Sequence, residues 1–501
     1  MNELQTDVIV VGGGGTGVAA AIGARSARSR GARVVLLEKN EKLGGTTARS
    51  IGSISATQTP DQKRLGIVDT PQAHFEDMGL FSKRHADRPD NDELARILCE
   101  HVPESVRLLE EWGAVFMGPM DEPPHRQPRM HQIMPNSAAY IFHAEKHARK
   151  IGVEIITGAR ARKLLTANGE VTGVEYKCDG KIETLEATRG VILASGDYAA
   201  DPGFKAQFVS EAVAATEAVN PTNTGDGHRM ALELGARIIN PDMYGGGMRF
   251  VRPAKPAWQS RLPPSAWLMR LCNAVMRHAP QSLVRHFIMS FMTTVMVPER
   301  KLFQQGGILI NARGERFADE NQRMVFELAL QPEGSGYILL DAVTAKKFTQ
   351  WPNYVSTAPG VAFAYIQDYA RTRPDLVRRG NTLDDVARVL GMDASGLKDS
   401  IATYNAGGGP PGRGERPPVG DGPYVILGPV KNYINYTDGG LAINSGLQVL
   451  GKHDVPIPRL YAAGATGQGG LLLKGHGNHI GWGFTSGRLA GQYAAALAPR
   501  S

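Results

Sequence analysis

Asp7-Val-Ile-Val-Val-Gly-Gly-Gly-Gly-Thr-Gly17 decides how the rest of this chain is read. Asp7 to Val11 is a β-branched run that predicts a buried strand. It ends on Gly12, Gly14 and Gly17, the spacing GxGxxG, and a helical segment follows through Ala19–Ile22 toward Arg30. Gly12 makes the tight turn, Gly14 lets backbone approach a pyrophosphate, and Gly17 lets helix and strand pack closely. Gly15 and Thr16 complete the turn, where free N–H groups and a partial positive charge face the phosphates. A second strand, Arg33 to Leu37, ends in Glu38, 26 residues after Gly12, placed to accept hydrogen bonds from a ribose hydroxyl pair. Among 59 glycines the motif alone reads equally as a loop. The strand before it, the helix after it and the acid at the second strand's end decide for a dinucleotide.

Working outward, Glu38-Lys39 leads into Gly44-Gly45-Thr46-Thr47-Ala48-Arg49-Ser50-Ile51-Gly52-Ser53. A second run of small residues beside the ribose acid implies backbone packed against a long, flat ligand, which predicts FAD rather than NAD. Near the other end the pattern returns. Arg459 to Gly464 reads as strand and turn, seven glycines follow from Gly467 to Gly483 (Gly481 among them), and a helix begins at Phe484. That helix N-terminus would stabilise an electron-rich reduced flavin. Between these ends, Gly190 to Ala194 is a strand entering Ser195-Gly196. Asn223 to Gly227 precedes a helix, with Asp226 either its cap or a ligand contact.

The remaining composition excludes more than it suggests. At 501 residues, 42% hydrophobic and 21% charged, the chain holds two sizeable cores. The net charge of +7 is scattered, without a basic stripe interleaved with aromatics, so no nucleic-acid partner is expected. Cys99, Cys178 and Cys272 show no CxxC and no metal spacing, and suit a reducing compartment. No secretory signal is visible at the start, and the most apolar run, Phe287 to Val297, is too short to span a bilayer. The expectation is a cytoplasmic protein, peripheral to a membrane at most.

These residues, taken as a set, resemble the fumarate reductase / 3-ketosteroid dehydrogenase group of flavoproteins. The similarity runs from VIVVGGGGTG (8–17) and LLEKNEKLGGTT (36–47) through GVEIITGARARKLL (152–165), RGVILASGDY (189–198) and NTGDGHRMALELGA (223–236). It continues in GILINARGERFADE (307–320), SIATYNAG (400–407), YTDGGLAINSGLQVL (436–450), IPRLYAAGA (457–465) and HIGWGFTSGRLAG (479–491). The resemblance implies an α/β fold: a discontinuous Rossmann-like FAD domain (1–229 and 422–501), an inserted α+β cap (230–421), and a substrate held between them. It implies that Ala161 gives backbone contacts to the adenine half, that Ala194, Gly196, Asp226, Gly464, Gly481 and Phe484 serve the same cofactor, and that FAD is non-covalent, because Thr46-Thr47 replace the histidine that carries flavin in related proteins.

The family's reaction moves a hydride at flavin N5 and a proton at the neighbouring carbon, making or removing a C=C bond beside a carbonyl or carboxylate. Such a site needs a proton-transfer group, an oxyanion donor and a dry pocket. This sequence departs from both specialist patterns. Arg323 falls one place earlier than the arginine acid of similar fumarate reductases, and Met324 stands for the steroid-dehydrogenase tyrosine. Tyr436 replaces the family's substrate histidine. Near the flavin, Asn478-His479 stands where fumarate reductases clamp a carboxylate with arginine, and Leu473 where ketosteroid dehydrogenases polarise a carbonyl with tyrosine. What remains is a polar set, Tyr436, Lys474, His476 and His479, with Arg323 as a further proton donor.

Pro253 to Pro298 interleaves Trp258, Trp267, Met269, Met276, Phe287, Met289, Phe291, Met292 and Met296 with arginines. It reads either as an internally packed cap helix pair or as an adaptable apolar wall touching a membrane surface. The expected activity is an FAD-dependent dehydrogenase or ene-reductase acting beside a carbonyl of a bulky, ketosteroid-like small molecule, coupled to an unidentified electron donor or acceptor. The alternatives are a fumarate reductase-like enzyme clamping a small carboxylate with Arg323 and Lys474, and a flavin-loaded electron-transfer subunit.

Overall fold

The apolar run that opens the chain forms β1 (Leu4–Val11), and Val8, Ile9 and Val10 are completely buried. α1 (Gly15–Ser26) leaves the glycine turn, and β2 (Val34–Leu37) returns parallel to β1, Val8 beside Val34 and Val11 beside Leu37. β3 (Glu154–Ile156) extends this sheet past β2, and β4 (Lys181–Leu193) lies parallel on the other side of β1. A computed structural model gives this architecture for all residues except 1–3, 28–31, 82–87, 89, 255–260, 281–284, 286–288, 291, 295, 321–324, 359–361, 409–413 and 501.

Most of a second sheet follows α2 (Asp226–Glu233). β5 (Tyr244–Phe250) pairs antiparallel with β6 (Tyr424–Thr437), its long spine, which also pairs with Ser335–Leu340 and Val377–Gly380. Ile308–Ile310 adds outside Ser335–Leu340, and Glu217–Ala218 joins β6 in parallel. The chain then returns to the first sheet through β7 (Gln448–Leu450) and β8 (Pro456–Ala462), giving the order β7-β8-β4-β1-β2-β3, and closes with α3 (Asn478–Ala496). Each sheet carries its own apolar core.

α1 and α3 touch backbone to backbone. A Cβ on Gly491 would sit 2.1 Å from the Ala20 carbonyl oxygen, and one on Gly23 would sit 2.3 Å from that of Arg488. α3 begins at Asn478, six residues before the start expected at Phe484. Gly481 and Gly483, which read as a loop, are tolerated inside the helix because Val102 and Leu98 of the helix Asp92–Glu111 and Thr16 of α1 lie against them. The earlier start puts His479 in the first turn of α3.

Candidate active site

A cavity of about 900 Å³ takes its walls from both sheets. One end is lined by Gly12, Gly14, Gly15, Thr16, Glu38, Lys39, Gly45, Thr46, Thr47, Ser50, Gly52, Ala161, Ala194, Gly196 and Asp226. Gly12, at φ +110°, approaches Ala194 so closely that a Cβ would lie 2.4 Å from its carbonyl oxygen. Gly14 is different: nothing but Gly45 Cα, at 3.9 Å, lies near a Cβ placed there. No protein atom demands glycine at that position, whereas a diphosphate lying on the backbone does. Gly14 caps α1 without a side-chain hydrogen bond; the Gly15 amide donates to the Thr47 hydroxyl at 3.1 Å, and the helix N-terminus presents its partial positive charge to an anion. These features fit a dinucleotide.

Gly17, Gly44, Gly464, Gly481 and Phe484 stand behind this wall rather than on it. A Cβ on Gly17 would meet the Gly12 carbonyl oxygen at 1.7 Å, and one on Gly464 the Thr16 hydroxyl at 2.3 Å. The Gly44 amide bonds the Gly13 carbonyl at 3.0 Å. Gly481 faces Val102 and Leu98 of the helix Asp92–Glu111, and the buried Phe484 stacks obliquely on Tyr140. These are packing positions that set the wall.

Glu38 ends β2 as the sequence reading expects. Its carboxylate accepts from the Gly13 amide at 2.6 Å and from the backbone and side chain of Asn40 at 2.8 and 2.6 Å. Asp226 accepts from Lys39 at 2.7 Å and Arg160 at 2.9 Å. Burial would raise its pKa, but those two cations hold it below the usual carboxylate range. Gly225, in the left-handed region, caps α2, so Asp226 is the first helical residue and not the cap.

Sequence reasoning missed the polar support of Thr46. Asn220 and Asn223 donate to its hydroxyl at 3.1 and 2.8 Å, and Asn223 also donates to Asp197 at 2.8 Å. Burial pushes the Asp197 carboxyl up to about 6 despite hydrogen bonds from Ala199, Asn223 and Thr437. An acid directly after Gly196, three residues past the end of β4, was the available signal.

Away from the glycine turn, the end of β6 meets the start of α3 on the cavity wall. The Tyr436 and His479 rings lie 4.2 Å apart, and His479 Nε2 faces Asp438 Oδ1 at 3.3 Å. Gln468 donates to the same Asp438 oxygen at 2.9 Å. His476 opens into the cavity with its side chain 56% exposed, and its Nδ1 pairs with Glu122, which also accepts the His476 amide at 2.8 Å. The hydrogen bond to Glu122 raises the His476 pKa against the opposing effect of burial. Lys474 is paired: its ammonium faces Asp90 at 3.2 Å.

Glu122 lies in the loop between Phe116–Met120 and Met130–Ile133, and nothing in the local sequence marked it. Buried Arg129 fixes that loop with two 2.7 Å bonds to Asp69 and one of 2.5 Å to Asp77. Asp77 also accepts the Arg126 amide at 2.9 Å. Breaking such a buried pair by removing one partner typically costs about 3–5 kcal/mol.

Beyond Tyr436 the wall turns apolar, with Met117, Met134, Leu262, Met269, Met276, Met292 and Met296. β5 contributes one cation to this stretch, Arg249. Arg323 and Met324 lie outside the described residues, as do Trp258, Phe287 and Phe291. The described part of the basic apolar stretch divides by face: Met269, Cys272 and Met276 of the helix Ala266–His278 line the cavity, whereas Trp267, Leu271 and Val275 point outward, 70%, 54% and 57% exposed. No helix among the described residues is long and apolar enough to cross a membrane.

A model of the FAD binding domain family matches residues 7–245 and 272–473. A urocanate reductase of Eggerthella lenta is 28% identical over 515 residues, covering 99% of this chain and 75% of its own length. The open conformation of a flavocytochrome c3 fumarate reductase superposes with a TM-score of 0.72 at 24% identity, over 98% of this chain and 78% of that one. A 3-ketosteroid-Δ4-(5α)-dehydrogenase from Rhodococcus jostii RHA1, in complex with 4-androstene-3,17-dione, gives 0.60 at 22% identity over 99% and 97%. The glycine turn, the cavity and the family match lead to one conclusion: the chain belongs to the FAD binding domain family and is an FAD-dependent oxidoreductase acting on C=C bonds.

Proposed function

We propose that the enzyme makes or removes a C=C bond beside a carbonyl of a bulky, largely apolar compound, held between an FAD domain (1–229 and 422–501) and a cap (230–421). The carrying observation is the methionine-rich wall continuous with the Tyr436–His479 pair. Methionine side chains adapt to irregular apolar bodies, and the wall excludes water from the reacting carbon. The small-carboxylate alternative is weakened because Lys474, one half of its clamp, already faces Asp90.

FAD, when bound, supplies the hydride exchange. Its diphosphate would lie on Gly12 to Thr16 and its ribose hydroxyls at Glu38, which still has acceptor capacity beside its three bonds. With Thr46-Thr47 in the adjoining loop we infer non-covalent attachment, so acid precipitation should release the flavin into solution. Tyr436 donates to the carbonyl oxygen, and His479 donates through Nδ1 when its ring carries both protons, Nε2–H being turned to Asp438; this draws electron density from the neighbouring carbons. Asp438 orients the His479 ring. His476, whose pKa is raised by the hydrogen bond to Glu122, moves the proton.

The outward face of the helix Ala266–His278 would rest on a membrane surface, with Arg270 toward lipid headgroups, and pass a lipophilic substrate to its inward face. The test of the central reading is anaerobic reduction followed by reoxidation with bulky cyclic enones or with fumarate. Reoxidation by fumarate alone removes the bulky-substrate reading.

A further inference from the structure

Arg249 is a charge of the cavity wall that the reading above leaves unused and, unlike the exposed Arg49 on the same wall, it has a buried Nε. It sits on β5 opposite Lys431 of β6, four residues from Gly245, which pairs with Tyr436. At about 3.3 Å per residue its backbone is roughly 13 Å along the strand from the carbonyl-binding end. The neighbouring cations are satisfied: Lys431 pairs with Glu217 at 2.9 Å, and Arg252 donates to the Val219 carbonyl at 3.3 Å. Arg249 has no such partner among the described residues. Its Nε is buried without an acceptor, and Arg252 adds repulsion that the nearby Tyr433 does not offset. The wall beside it is apolar, including Val219, Met292, Met296 and Val297.

A guanidinium stays charged in proteins, and a buried one without an anion is strongly disfavoured. Its planar fork matches a carboxylate in two parallel hydrogen bonds. We propose that Arg249 is a carboxylate subsite, so that the substrate is an apolar unsaturated carbonyl compound with an anionic group at the end remote from the reacting bond. This rests on the double-bond reading above for the carbonyl end, and it adds the second point of recognition. Two anchored ends fix which face and which carbon meet the flavin.

The test is calorimetric titration of the FAD-loaded enzyme with 4-(4-carboxyphenyl)but-3-en-2-one and with its methyl ester, on the wild type, Arg249→Met and Arg249→Lys. Flavin content and Tm are checked in each protein. The wild type should bind the acid at least roughly tenfold more tightly than the ester, as a charged hydrogen bond would give. Arg249→Met should erase the preference, and Arg249→Lys should keep part of it. Equal affinity for acid and ester in the wild type, binding of neither, or a preference that survives Arg249→Met overturns the proposal. Loss of flavin in Arg249→Met with an unchanged acid-to-ester ratio in Arg249→Lys also overturns it, since the guanidinium then serves the cofactor. An acid preference that depends on Arg249, without reoxidation of reduced enzyme by the acid, upholds the subsite and counts against the double-bond reading instead.

Discussion

The two ends of the cavity are built on opposite principles. The end around Gly12 to Thr16 is backbone: peptide N–H groups, a helix N-terminus, and glycines whose missing Cβ atoms make the space. The end around Tyr436 is side chain, and nearly every polar group there is oriented by a partner far away in sequence. Glu122 and His476 are 354 residues apart, and His479 meets Asp438 from another element 41 residues distant. A backbone site tolerates almost any neighbour but not a methyl group. A side-chain site tolerates methyl groups but not the loss of an orienting partner.

The largest expected effect breaks the first principle. Gly17→Ala would place a Cβ 1.7 Å from the Gly12 carbonyl oxygen and should give protein that does not fold with flavin, whereas Gly14→Ala should fold with an apo Tm near wild type and bind FAD weakly. The ratio of flavin to protein absorbance and the apo Tm separate them. If Gly14→Ala keeps full affinity, close backbone approach is not what that glycine provides.

The second principle is probed by Tyr436→Phe and His479→Ala. With flavin content retained, each should lower turnover on the order of 10²-fold or more if it moves a proton or holds the oxygen. Unchanged turnover in both would remove the pair from the mechanism.

Glu122→Gln sharpens the comparison through pH. Glu122 raises the His476 pKa, so His476 keeps its proton to higher pH in the wild type. The stabilisation from this pair is complete below the ordinary imidazole pKa and is lost as pH rises through the raised one. The variant should therefore lose turnover at lower pH than wild type on the alkaline side of its pH–rate profile. An unmoved alkaline limb would make the pair structural only.

The smallest expected effect lies outside the cavity. Trp267→Glu with Leu271→Glu should weaken co-sedimentation with anionic phospholipid vesicles several-fold while shifting stability by about 0.5 kcal/mol or less, because both side chains are exposed. Equal sedimentation of variant and wild type would leave the exposed stripe without a membrane role.

The same contrast explains what could be read from the chain alone. The β1 turn, the Glu38 strand end and the return near Ala462 are local patterns in which residues a few positions apart fix backbone geometry, and the architecture follows them. The start of α3 was misplaced because Gly481 and Gly483 look like loop until Val102 and Leu98 of one helix and Thr16 of α1 are packed against them. Tyr436, His476 and His479 were legible as chemistry-bearing types in a glycine-rich setting. Glu122, Asp197, Asp438 and Arg249 were not, since an isolated carboxylate or guanidinium in a strand or loop carries no periodic signal.

By itself, then, the sequence determined that the chain folds around a dinucleotide, because steric permission at Gly12, Gly14 and Gly17 is a property of those residues. Only the tertiary structure decided which charges are spent and which are available. Lys474 is balanced by Asp90 and Asp226 by Lys39 and Arg160, while Arg249 faces the cavity without an anion among the described residues. Electrostatic pairing depends on distance through space, and distance through space is what a linear order of residues does not contain.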